Sequence, residues 1–218
     1  MNMEPRPTPT GWVQVMVLLV DRDRPAPESD GIAAVALASV LAYAADPSHP
    51  DWQRWLSGPV TKSVRRADAK TYAKTAQAHP EAIEATQGRG RALALPPLPM
   101  DGLPKTLARL QVSGTQLSAG AAEPAADGLP MIVLNQDLGM STGKAAAQAA
   151  HALFAWVLEL EPQRGAAWLR AGPQVGISWR GEAELLAGTV LPGAGPLIRD
   201  AGHTEIAPES ATAYVAVN

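Results

Sequence analysis

Three polar side chains that could do chemistry lie on one predicted helix in the second half of the chain. Lys144, Gln148 and His151 are separated only by alanines, and their spacing places them on one helical face. Small alanines let a backbone or a substrate approach that face closely. The helix dipole disfavours a cation in the first turn, yet a helix start and Lys144 together suit an anionic oxygen. A solvated surface lysine is the alternative interpretation.

A second polar cluster follows an apolar segment further along the chain. Asp200 ends that segment, Gly202 permits a tight turn, and His203 and Thr204 come next. In α/β sheets, ligand sites gather outside the carboxyl ends of strands, although an aspartate that caps its own turn is a common alternative. Neither His151 nor His203 has further metal ligands at a recognised spacing, and the chain has no cysteine. We therefore expect no metal and no cofactor.

The two clusters together resemble a known family. Ile132–His151 reads IVLNQDLGMSTGKAAAQAAH, and Asp200–Pro208 reads DAGHTEIAP. In order and nearly in spacing, these segments resemble the class-two peptidyl-tRNA hydrolases, over about 90 of the 218 residues. The resemblance implies a mixed four-stranded sheet flanked by helices and a cytoplasmic location. It also implies hydrolysis of the ester that joins a peptide to the 3′ ribose of tRNA, with the acceptor end of peptidyl-tRNA as the partner.

The resemblance also assigns roles to the residues of both clusters. The catalytic residues that it implies are Lys144, Gln148, Asp200 and Thr204, and the substrate-binding residues are Gly143, His151 and His203. Asp200 would orient or deprotonate a water, directly or through Thr204. Lys144 and the amides at the helix start would stabilise an oxyanion or the terminal phosphate. We expect the Lys144 and Asp200 charges within about 4–6 Å of each other, the range of strong mutual pKa effects.

Several positions depart from the family pattern. Ser141 and Thr142 replace its usual basic residues, His203 replaces an arginine, and Glu205 and Glu209 replace a glutamine and a glycine. Each change lowers positive charge or adds negative charge near the expected site. A hydrolase acting on another acyl or amide substrate, and a non-catalytic adaptor that binds RNA or a protein partner, are therefore the alternatives.

Strands that alternate with helices predict an α/β fold. We expect a three-layer α/β/α arrangement with a mixed four-stranded sheet, built as two tandem related units. The first unit would cover residues 1–117 and the second, hydrolase-like unit residues 129–218, joined by a linker at 118–128 (SAGAAEPAADG). Within the first unit, Asp68–Ala85 has helical composition and the proline-rich Arg91–Pro104 is expected to be an edge or a loop.

Ordered echoes between the halves suggest that the first unit is a degenerate copy. Gly31–Ser39 overlays Gly143–His151, and Trp55-Leu56 before Gly58-Pro59 echoes Trp168-Leu169 before Gly172-Pro173. Such a copy would make the monomer a pseudo-dimer. It would also be catalytically dead, because the positions that overlay the key polar residues are Ile32, Ala36, Ser39 and Val112.

Charge is distributed unevenly between the halves. From Leu129 onward there are 5 basic and 8 acidic residues, which is unfavourable for a nucleic-acid surface. A first-half cluster could supply that surface, or could be only a solvated helix face; it comprises Lys62, Arg65, Arg66, Lys70 and Lys74. The apolar run Trp12–Val20 is too short to span a bilayer, so we expect a soluble protein without a membrane partner.

Overall fold

The computed structural model describes residues 11–119, 128–202 and 205–217, which form two α/β units. The first unit holds five strands and four helices. Its strands are β1 (Trp12–Leu19), β2 (Thr61–Ala67), β3 (Ile83–Gln87), β4 (Gly90–Ala94) and β5 (Leu98–Pro99). Its helices are α1 (Glu28–Ala45), α2 (Pro50–Leu56), α3 (Ala69–Ala78) and α4 (Lys105–Ala108), with a 3₁₀ turn at Met100–Gly102.

The second unit holds four strands and three helices in its described part. Its strands are β6 (Met131–Asn135), β7 (Gly176–Arg180), β8 (Ile198–Arg199) and β9 (Ala211–Ala216). Its helices are α5 (Thr142–Glu159), α6 (Pro162–Arg170) and α7 (Glu182–Gly188), with a 3₁₀ turn at Gln136–Leu138. The α/β class is confirmed.

The two sheets have the same strand order and the same directions. The first is ordered β2-β1-β4-β3 and the second β7-β6-β9-β8, each with one parallel pair and two antiparallel pairs, and β5 adds only a short antiparallel extension to β1. The intervening helices also recur in the same positions along the chain. This shared connectivity agrees with the sequence echoes, and common descent of the units stays a prediction.

Helices α1 and α5 lie between the two sheets and form the centre of the molecule. Each packs on its own sheet and on the other helix, and each also reaches one strand of the other sheet, α1 contacting β7 and α5 contacting β2. One continuous core therefore includes side chains of both units. By length and hydropathy α1 could cross a membrane, but residues 31–40 are all buried in the protein. Burial on every side explains its apolar composition.

The local sequence explains where α5 starts and stops. Ser141 is the N-cap, and its side chain accepts a hydrogen bond from the backbone N–H of Lys144 (3.3 Å). Alanine, the best helix former, fills most of the first three turns, and its small size lets α1 approach. Helix α5 ends at Glu159, shortly before Pro162 begins α6, because proline cannot continue a helix.

An aromatic cluster joins the two units at the far end of these helices. The ring of Phe154 on α5 lies 5.2 Å from the Tyr43 ring and 5.2 Å from the Trp55 ring, and Trp52 completes the cluster. Phe154 is 2% exposed. The second unit thus inserts its single phenylalanine into the first.

The first unit differs from prediction in three places. The segment 81–85 leaves the helical pattern after His79–Pro80 and enters β3, and part of the proline-rich segment forms β4, an inner strand. Strands β3 and β8 hold the same place in their sheets, so the counterpart of Asp200 lies just after β3. The predicted counterpart, Val112, lies instead beyond α4 and is 46% exposed. Residues 120–127 of the predicted linker lie outside the described residues.

The basic cluster predicted in the first unit does not form one exposed surface. Lys62 is buried, and Nη1 of Arg65 donates to the carbonyl oxygens of Leu107 (3.1 Å) and Leu110 (3.3 Å). Arg66 donates to the side chain of Gln111 and to the carbonyl oxygen of Gly114. Alternation along β2 turns Lys62 inward. Of the five residues in the predicted cluster, only Lys70 and Lys74 on α3 are exposed.

Truncating Phe154 should loosen the packing between the units. We expect Phe154→Ala to lower the free energy of unfolding by about 3–5 kcal/mol, because it removes a buried aromatic side chain and leaves a cavity. Leu158→Ala is the matched control on the same helix, since Leu158 is 45% exposed, and should change stability by no more than about 0.5 kcal/mol. Urea denaturation followed by tryptophan fluorescence measures both. Equal losses in the two variants would contradict the assigned interface.

Candidate active site

The two predicted clusters meet at the start of α5. Lys144 lies in the first turn of α5 and Asp200 directly follows β8, and Nζ of Lys144 lies 2.5 Å from Oδ1 of Asp200. The side chains are 10% and 6% exposed. Since the residues are 56 positions apart, only the fold brings them together, and the predicted proximity is observed.

Asp200 accepts hydrogen bonds from three donors among the described residues. Besides Lys144, Nε2 of Gln148 donates to Oδ1 (2.8 Å), and the backbone N–H of Gly202 donates to Oδ2 (2.8 Å). Burial alone would raise the pKa of Asp200, but these donors and the Lys144 charge lower it below the usual range. The carboxylate is therefore ionised at neutral pH.

Thr212 was not predicted and fixes the orientation of Gln148. Its hydroxyl on β9 donates to Oε1 of Gln148 (2.7 Å), which turns the amide nitrogen towards Asp200. Both side chains are buried, so an amide facing the other way would leave polar atoms unpaired. An inward-facing threonine in an apolar strand is the sequence signal that could have revealed this residue.

The backbone amides at the start of α5 are already hydrogen-bonded. The N–H of Thr142 donates to Oε1 of Gln116 (2.8 Å), and the N–H of Gly143 donates to the carbonyl oxygen of Thr115 (3.3 Å). Both acceptors belong to a segment of the first unit. The predicted role of these amides in an oxyanion cradle is therefore wrong for this structure.

Gly143 packs against the first unit, and its predicted role in substrate binding stays a prediction. The residue is buried, and a Cβ atom there would lie 3.3 Å from Cβ of Thr115. Glycine at this position lets the first unit come close to the helix.

Two departures from the family pattern meet beside this helix start. Glu205 accepts hydrogen bonds from the backbone N–H of Ser141 (3.1 Å) and from its hydroxyl (2.7 Å). A carboxylate near a helix N-terminus is electrostatically favourable. The acidic residue that sequence reasoning counted against nucleic-acid binding thus has a structural role at the N-cap.

His151 lies two turns along α5 and is half-buried. Burial, assisted by the charges of Lys62 and Lys144, lowers the pKa of His151 to about 3, and Asp200 acts in the opposite direction. The imidazole is neutral at pH 7, so it can donate or accept a hydrogen bond but carries no charge towards a substrate. The other two predicted residues, His203 and Thr204, lie outside the described residues.

A buried lysine of the first unit, Lys62, contributes to the lowered pKa of His151. Nζ of Lys62 donates to Oε1 of Gln14 (2.5 Å) and to Oγ of Ser39 (2.8 Å). The ammonium lies over the rings of Phe154 (4.2 Å to the centroid) and Trp55 (4.6 Å). Burial lowers the pKa of Lys62 well below its ordinary value.

The described ranges contain no group of three or more histidine, aspartate or glutamate side chains that could hold a metal ion. The site itself offers an ionised carboxylate, an ammonium and an oriented amide, which lie together where β8 ends and α5 begins.

Protonation of His151 should destabilise the fold. The folded-state pKa is about 3 and the unfolded value about 6.5, so between these values only the unfolded chain binds the proton. The free energy of unfolding should fall as the pH drops from about 6.5 towards 3, by at most about 1.4 kcal/mol per pH unit from this group. His151→Gln should flatten that loss in urea denaturation at pH 7.5, 6 and 5. Parallel curves for the two proteins would contradict the assignment.

Comparison with known proteins gives a match to the second unit. The family described as peptidyl-tRNA hydrolase PTH2 matches residues 130–217. A peptidyl-tRNA hydrolase of Methanocaldococcus jannaschii is 36% identical over 93 residues, which cover 38% of this chain and 79% of that protein. The match contains the second unit with Lys144, Gln148 and Asp200. Through this unit, the chain belongs to the peptidyl-tRNA hydrolase PTH2 family.

Proposed function

We propose that the protein hydrolyses the ester bond between a peptide, or an N-blocked amino acid, and tRNA, without a metal ion. The observation that carries this proposal is the buried Lys144–Asp200 pair with Gln148 beside it, within a unit that belongs to a hydrolase family. No local sequence preference brings these groups together, and an apolar replacement would be an easier solution for stability alone.

Asp200 orients the attacking water. A carboxylate offers about four acceptor positions, and the described donors occupy three of them, two on Oδ1 and one on Oδ2. In the proposal the water donates one of its hydrogens to Oδ2, which accepts one bond from the described residues. Because the pKa of Asp200 is lowered, the group is a weak base, and its main contribution is the direction in which the water presents its lone pair.

Lys144 stabilises the negative charge that develops on the ester carbonyl oxygen. An ammonium has three N–H donors, so its bond to Asp200 is compatible with donation to an oxyanion. With the helix-start amides engaged elsewhere, this cation is the group best placed to take the role that backbone amides have in other hydrolases.

The bond changes balance without a covalent enzyme intermediate. The water oxygen bonds to the carbonyl carbon, and the bond from that carbon to the 3′ oxygen of the ribose breaks. The departing oxygen receives one of the two water protons, and the other is released to solvent when the new carboxylic acid ionises. The products are a peptide carboxylate and a free 3′ hydroxyl. Gln148, oriented by Thr212, holds the carboxylate in position throughout.

The proposal predicts that the ionic pair matters more for activity than for stability. In a release assay with N-blocked aminoacyl-tRNA, we expect Lys144→Ala and Asp200→Asn to lower kcat by about 10²–10⁴-fold, the usual effect of removing such groups. Lys74→Ala is the matched control because Lys74 is exposed on α3, and it should leave turnover unchanged. Melting temperatures of all four proteins are measured in parallel.

The outcomes separate the possible functions. Wild-type turnover that survives a chelator supports the metal-free reaction, and turnover that a divalent ion restores would contradict it. If the two variants lose stability but keep turnover, the pair is structural. Absence of turnover in the wild type over a range of salt and pH would favour an adaptor.

A further inference from the structure

The first unit has a cavity at the place that corresponds to the hydrolase site of the second. The cavity has a volume of about 340 Å³ and lies between the end of β1, the loop before α1 and the turn after β3. The Lys144–Asp200 site lies between the loop before α5 and the end of β8. Since β1 and β6, and β3 and β8, hold equal places in their sheets, the two sites are topological counterparts.

The cavity of the first unit carries positive charge and no catalytic pair. Its charged lining residues are three arginines and one aspartate: Arg24, Arg89, Arg91 and Asp21. The residue that overlays Lys144 is Ile32, which is fully buried in the core. The counterpart site thus has the chemistry of an anion-binding pocket.

Two of the three arginines are available for a ligand. Arg91 forms an ion pair with Glu84 (2.7 Å), and Oδ1 of Asp21 accepts the backbone N–H groups of Asp23 (2.9 Å) and Arg24 (3.3 Å). The guanidinium groups of Arg24 and Arg89 have neither a hydrogen bond nor an ion pair within residues 11–119, 128–202 and 205–217. Both side chains are exposed.

The hairpin that presents Arg89 is tightly fixed. The backbone N–H of Arg89 donates to Oδ2 of Asp30 (2.8 Å), and Gly88 adopts a positive φ of 53°. A Cβ atom on Gly90 would collide with the carbonyl oxygen of Asp30, so the turn can pack on α1 only with glycine there. The backbone of Arg89 is therefore held at the edge of the cavity by a rigid turn.

The cavity and the hydrolase site open towards the same side of the molecule. Helices α1 and α5 begin side by side, because the hydroxyl of Thr142 donates to Oε1 of Glu28 (2.6 Å). They also approach each other near their ends, where the rings of Tyr43 and Phe154 are 5.2 Å apart. The helices therefore run in the same direction, and the carboxyl ends of the strands before them face the same way.

We propose that the cavity of the first unit binds a backbone phosphate of the tRNA whose ester lies at Lys144 and Asp200. Arginine suits this role because its planar fork matches two phosphate oxygens at once. The unit without a catalytic pair would then supply the phosphate-binding group that the acidic second unit lacks. This assignment rests on the proposed function, since it takes tRNA as the substrate.

The test measures binding of uncharged tRNA to the full chain over a range of salt concentrations. We expect the double variant Arg24→Gln/Arg89→Gln to weaken binding about tenfold, because it removes hydrogen bonds to a charged group. The slope of log affinity against log salt should fall by about 0.7–0.9 for each phosphate that the variant no longer neutralises. Melting temperature should stay constant, because both side chains are exposed.

The matched control is Arg109→Gln/Arg164→Gln, which removes two exposed arginines that do not line the cavity. It should bind tRNA like the wild type. Equal affinity and equal salt slope in the two double variants would overturn the proposal. A second result would also overturn it. If the double variant binds tRNA normally, but inorganic phosphate raises the melting temperature of the wild type above its value in chloride at matched ionic strength, the ligand of the cavity is free phosphate and not tRNA.

Uncharged tRNA has no ester to cleave, so this measurement is independent of turnover. If wild-type protein releases no peptide but the cavity variant still loses tRNA affinity, the phosphate site stands and the hydrolase proposal fails. If turnover is normal and the variant keeps its affinity, the hydrolase proposal stands and the phosphate site fails. With both correct, the variant raises KM for peptidyl-tRNA and leaves kcat unchanged.

Discussion

The side-by-side packing of α1 and α5 is the constraint on which the rest of the structure depends. Each helix needs small, apolar side chains on several faces, because it contacts its own sheet, its partner helix and a strand of the other sheet. Ala145, Ala146, Ala149 and Ala150 satisfy this demand on α5, all of them fully buried. The remaining face of α5 is then free to carry Lys144, Gln148 and His151. The packing of the core therefore already accounts for most of the alanines that separate these three residues.

The same packing sets the electrostatics around the site. It brings Lys62 of the first unit and Lys144 of the second near one histidine, and their charges help keep His151 neutral. Lys62 is held by Gln14, Ser39 and two aromatic rings. The charge of Lys62 therefore contributes to the electrostatic potential at the site of the second unit. Lys62 itself lies outside residues 130–217, the segment that matches the family.

Much of the second unit could be predicted from sequence, and the reasons are local. Helix α5 has a serine N-cap and good helix formers, and the pairing of Lys144 with Asp200 followed from a motif with family-wide order. Thr212 could not be assigned in this way, because its role depends on which face of β9 meets Gln148. The hydrogen bonds that engage the amides at the start of α5 were missed for the same reason. Their acceptors, Thr115 and Gln116, lie between two glycines in a segment with no periodic pattern.

The first unit was harder to predict because its polar residues change role with their tertiary surroundings. Arg65 and Arg66 are indistinguishable from surface arginines in sequence, yet both hold carbonyl oxygens of the segment after α4. Strand β4 was hidden by the prolines that follow it. Conversely, Arg24 and Arg89 are far apart in sequence, and only the turn at Gly88 and Gly90 places them at one cavity.

The shared core also has a consequence for the order of events during synthesis. Glu28 and Thr142, which meet at the helix starts, are 114 positions apart. At a translation rate of about 5–20 residues per second, α1 leaves the ribosome roughly 6–23 s before α5 does. By the end of that interval the strands of the first unit have emerged, but the helix that covers α1 and the ring that fills its aromatic cluster have not. The nascent chain therefore exposes a long apolar helix until its second half arrives, and this is the stage at which a chaperone that shields apolar surface would engage it.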